Sequence, residues 1–87
     1  MVHDRSVATD DSWNGLLEAL DRGAHHAVRE ELERAQSCST VSSESIGEIG
    51  VVMKRNADVR QSLDARGRRC WDAVRRAVNR VWRGLVP

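Results

Sequence analysis

The chain has 87 residues, a net charge of +1, two cysteines, and no phenylalanine or tyrosine. A chain this short makes one small domain, whose core must come from Leu, Val, Ile, Ala and Trp. Cys38 and Cys70 are too few for a disulfide framework and fit no zinc spacing, no apolar run is long enough to cross a membrane, and MVHDRSVATDD lacks the apolar segment of a secretory signal. The expectation is a soluble, intracellular protein with reduced thiols.

Residues 1–11 are polar and unpatterned and read as a flexible tail, leaving 12–87 as a single domain. Asp11 or Ser12 can cap a helix. Trp13, Leu16, Leu17, Leu20, Ala24, Ala27, Val28, Leu32 and Ala35 then recur in steps of three and four, which predicts one helix over about 12–36. Gly23 weakens that helix by about 1 kcal/mol without ending it. SCSTVSSES (37–45) is a loop by composition, and Ser45 with Glu48 has the spacing of a capping box.

Beyond it, Ile46, Ile49, Val52, Met53, Ala57, Val59 and Leu63 share one helical face. The same phase continues through Cys70, Val74, Ala77, Val78, Val81 and Leu85, with Trp71 and Trp82 at its edge. A single helix over about 45–85 is therefore expected, with room for a kink at Gly67. At roughly 60 Å it outruns a first helix of roughly 37 Å, so part of its apolar stripe needs another cover. The expected fold is all-α: a helical hairpin that assembles as a homodimeric four-helix bundle. Leu63, Val74, Val78, Val81 and Leu85 belong to its core or dimer interface. Asn56, at the centre of the stripe, is placed either to pair with its symmetry mate and fix register or to lie at a wet end of the bundle.

Charge is divided unevenly. Residues 1–50 carry four arginines and ten acids (net −6), whereas 51–87 carry ten basic residues and three acids (net +7). RRCWDAVRRAVNRVWRG (68–84) alone holds six arginines, two tryptophans and one acid. On the long helix Arg55, Arg66, Arg69, Arg76, Arg80 and Arg83 fall on the face opposite the apolar stripe, a ridge of roughly 42 Å. Guanidinium forks grip phosphate in bidentate fashion. No aromatic residue interleaves them, which argues against stacking on single-stranded bases. No helix-turn-helix, zinc-finger or RNP pattern is present. The ridge therefore points to double-stranded nucleic acid held by its phosphates without regard to sequence, with RNA favoured.

In inferred shape, length and charge placement, residues 12–85 resemble the nodavirus B2 family of RNA-silencing suppressors, although no sequence motif is shared. The resemblance implies a dimeric helical hairpin that lays basic helix faces along double-stranded RNA in the host cytoplasm. Two other readings stay open: a helical adaptor dimer, and a membrane-surface helix with Trp71 and Trp82 at its polar–apolar boundary. No catalytic motif, cofactor loop or metal site is expected; adjacent His25 and His26 project about 100° apart and cannot hold one metal from a shared face.

Overall fold

The computed structural model describes residues 10–87, and within them the chain is all-α, without strands. Five helices follow in order: α1 Asp10–Arg22, α2 His26–Gln36, α3 Ser42–Arg55, α4 Val59–Ser62 and α5 Ala65–Val81. The expected tail lies outside the described residues except for Asp10 and Asp11, which open α1.

Both long helices of the sequence reading are broken. The first ends at Arg22, where Ala24 adopts a left-handed φ of 62°. Its amide donates to the Asp21 carbonyl and the His25 amide to that of Leu20, which closes the orphan carbonyls of α1 in a Schellman turn. The second breaks at Asn56–Asp58 and again at Leu63–Asp64. Gly67 is not a kink; it sits in the first turn of α5, three residues after the N-cap Asp64, whose carboxylate accepts from the Gly67 amide at 2.8 Å. Helix α3 also starts earlier than expected, so Ser45 and Glu48 form no capping box. Ser45 is buried, and its hydroxyl donates to the Ser39 carbonyl.

These breaks fold the apolar faces back on one another. Helix α5 packs against α1 on one side and α3 on the other, while α2 packs on α3 and returns to α1. Leu16 and Leu20 of α1, Leu32 of α2, Ile49 and Met53 of α3, and Val74 and Val78 of α5 are fully buried in the shared core. The Cα radius of gyration, 11.8 Å, matches the value of about 12 Å for a closed domain of this length. The four-helix core expected from two chains is thus completed by one, and the uncovered stripe that called for a second copy does not exist.

Leu63, Val74 and Val78, expected in the core or dimer interface, are buried in the core of the single chain. Asn56 caps the C-terminus of α3, its Nδ2 donating to the Val52 carbonyl at 2.8 Å. Leu85 is half-buried in the turn after α5. Val81 is 46% exposed. Its side points along the core phase, but α1 pairs Ala19 with Gly67 and Gly15 with Cys70, running antiparallel to α5, and does not reach the last turn.

Candidate nucleic-acid interface

Helix α5 is 17 residues long, about 25 Å, and carries six arginines against one acid. Three features fix its orientation. Asp64 caps its start and also accepts from Arg22 at 3.0 Å, which joins it to the end of α1. Gly67 and Gly15 permit close approach: a methyl at Gly67 would stand 2.7 Å from the Ala19 Cβ, and one at Gly15 would stand 2.6 Å from the Cys70 Sγ. Trp71, Val74, Ala77 and Val78 bury the inner face.

What remains outside is a narrow stripe. Arg66, Arg69, Arg76 and Arg80 are exposed, with half-buried Ala73 between the two pairs. Their spacing keeps all five within an arc of about 100°. From Arg66 to Arg80 the stripe runs about 21 Å, half of the ridge expected from the sequence. The shortening has a structural cause. Arg55 lies on α3, not on a continuation of α5, and pairs with Glu31 of α2 at 2.7 Å. Arg83 stands in the turn that follows α5. The structure thus brings four of the six expected arginines onto one helix and separates the other two.

The single acid of α5 does not oppose the stripe. Both Asp72 carboxylate oxygens accept from Arg60 of α4, each at 2.8 Å. That hydrogen-bonded fork, helped by the charges of Arg60, Arg75 and Arg76, holds the Asp72 carboxyl below its ordinary range. The Arg60–Asp72 clamp, which ties α4 to α5, escaped the sequence reading because Arg60 was placed on the same helix as its partner twelve residues away. Its signal was the lone acid inside an arginine-rich stretch. Among the described residues, Arg69, Arg80 and Arg83 take part in no ion pair.

The tryptophans do not share an edge. Trp71 is 2% exposed and belongs to the core. Trp82 is 44% exposed, and its indole N–H donates to the Ser43 carbonyl at 2.7 Å. No aromatic side chain interrupts the arginine stripe. His25 meets the Ser62 hydroxyl at 2.8 Å and His26 meets Asp21, so each histidine has a partner of its own. Among the described residues no helix is long and apolar enough to cross a membrane, and no group of three His, Cys, Asp or Glu side chains is placed to hold a metal.

No protein-family model, curated protein or solved structure matches this chain.

Proposed function

We propose that the outer face of α5 binds double-stranded nucleic acid through its phosphates, independently of sequence and with RNA preferred over DNA. The observation that carries this reading is the stripe of four exposed arginines, Arg66, Arg69, Arg76 and Arg80, on one capped helix whose lone acid, Asp72, is held by Arg60. The stripe presents forked cations and no aromatic platform, which suits phosphate contacts along a duplex rather than stacking on single strands. Preference for RNA follows from the shape-based way A-form duplexes are recognised, across the wide minor groove and its 2′-hydroxyls. At half the expected length, the reading rests on arginine placement and not on the nodavirus resemblance. The test is fluorescence anisotropy with matched double-stranded RNA, double-stranded DNA and single-stranded RNA of scrambled sequence. The expected order is duplex RNA first, duplex DNA second and single strands last, with little dependence on sequence. Absence of duplex binding at 50 mM salt sinks the proposal and leaves a protein-interaction role.

A further inference from the structure

An apolar groove of about 440 Å³ lies between α3 and the turn that follows α5. Gly47 and Val51 of α3 line one side, and Trp82 and Leu85 line the other. Val51 and Trp82 are two of the few large apolar side chains that the fold leaves exposed, at 39% and 44%. The Trp82 ring is held in place. Its indole N–H donates to the Ser43 carbonyl at 2.7 Å, and it rests on Gly47, where a Cβ would approach the ring nitrogen to 3.1 Å. A fixed, half-exposed aromatic ring loses little further entropy when it is covered.

The charge of the groove has one sign. Glu44 and Glu48 line it, both exposed, and none of its lining residues is basic. Among the described residues neither glutamate takes part in an ion pair. Glu44 accepts from the Ser39 hydroxyl at 2.8 Å, a neutral donor that leaves its charge uncancelled. Apolar surface under two unpaired carboxylates repels phosphate backbones and anionic bilayers. It suits an occupant that brings an apolar side chain and cations together. Trp82 favours the same occupant, because the face of an indole ring attracts a guanidinium or ammonium group.

The spacing along α3 adds the shape of that occupant. Glu44, Gly47, Glu48 and Val51 follow the steps of three and four that place side chains on one helix face. The two carboxylates stand one turn apart, a rise of about 6 Å. Basic residues four apart on a second helix have the same rise, and an apolar residue between them projects from the same face.

We propose that this groove receives a basic amphipathic helix of a partner protein. An apolar side chain of the partner packs between Val51 and Trp82, and two of its Lys or Arg residues, one turn apart, meet Glu44 and Glu48. The site uses none of the arginines assigned to nucleic-acid binding, and it stands whether or not α5 binds a duplex.

The experiment uses two synthetic helical peptides with the same leucine face, one flanked by lysines four residues apart and the other by glutamates in their place. Binding to the full chain is read by anisotropy of the labelled peptide and by tryptophan emission. Of the three tryptophans, Trp13 and Trp71 are buried, so a blue shift on binding reports cover over Trp82. The lysine peptide should bind and shift the emission, and the glutamate peptide should do neither. Glu48→Lys should weaken the lysine peptide at least about tenfold, and Val51→Ser should weaken it by a similar factor. Glu30→Lys, which reverses an exposed acid outside the groove, should leave its affinity unchanged. Circular dichroism checks that each variant keeps its helix content. Failure of the lysine peptide to bind at several hundred micromolar overturns the proposal. Equal binding of the two peptides, or an equal loss in Glu30→Lys, does so too. So does sedimentation equilibrium that shows the chain alone forming a dimer which Val51→Ser abolishes, since a second copy then fills the groove.

Discussion

The backbone amide of Gly67 donates to the carboxylate of Asp64 at 2.8 Å, and this contact decides where α5 begins. The Gly67 hydrogen bond, with further help from the Arg22 guanidinium, holds the Asp64 carboxyl below its ordinary value. Such a group stabilises the fold when ionised. As pH falls from about 3.8, the unfolded chain takes up the proton first, and stability is lost until the folded-state value is passed. Asp72, lowered by Arg60, loses its contribution in the same direction. Thermal melts from pH 6 to pH 2 should show Tm falling below about pH 4. Asp64→Ala should lower Tm by a few degrees at neutral pH and flatten that decline.

Gly67→Ala raises helix propensity by about 1 kcal/mol, yet it is expected to destabilise the protein. The new methyl would meet the Ala19 Cβ at 2.7 Å and the Leu63 Cβ at 3.0 Å. Neither neighbour is the end of a flexible side chain. Overpacking of this kind costs about 1–3 kcal/mol and should outweigh the propensity gain. Urea denaturation measures the sign, and a stabilised variant would show that α1 and α5 do not cross this closely.

Ala24→Gly should stabilise by about 1 kcal/mol, because Ala24 holds a left-handed φ of 62° that costs an L-residue energy and costs glycine none. The midpoint of urea unfolding should rise with its slope unchanged.

Val74→Asp and Val81→Asp should part company, although the helical phase puts both valines on the core face. Val74 is fully buried, and an unpaired carboxylate there costs several kcal/mol, enough to unfold so small a domain. Val81 is 46% exposed, and the change there should stay within about 0.5 kcal/mol. Circular dichroism of the two variants distinguishes them directly.

Replacing Arg69, Arg76 and Arg80 together by alanine should leave folding intact, since all three are exposed. Four phosphate contacts correspond to a slope of about −3.6 in log affinity against log salt for a DNA duplex. Loss of three should reduce its magnitude by about 2.7. Anisotropy titrations between 50 and 200 mM salt give the slope, and an unchanged value removes the stripe from the binding site.

The sequence determined local matters: the all-helical class, the apolar face of each segment, and the arginine stripe on α5. Leu16, Leu20, Leu32, Ile49, Met53, Val74 and Val78 were legible as core because helical periodicity depends on the sequence alone. Where helices end was not legible in the same way. Phase runs on through Asn56–Asp64 because Ala57, Val59 and Leu63 fall on the apolar arc when counted at about 100° per residue, and that count is the same whether or not the backbone stays helical. Ala24 gives no composition signal for a left-handed stop, and Gly67 reads as at most a kink in a continuous helix, whereas Asp64 caps the start of a new one. Only tertiary structure decided those points. Breaking each long segment lets four helices bury their apolar faces against one another inside one chain, whereas unbroken helices would leave a stripe open to water. The same folding separated Arg55 from α5, sank Trp71 into the core, and brought Trp82 against Ser43 and Gly47, thirty-nine and thirty-five residues away in sequence. Long-range packing of that kind follows from the shape of the closed core, which no local pattern encodes.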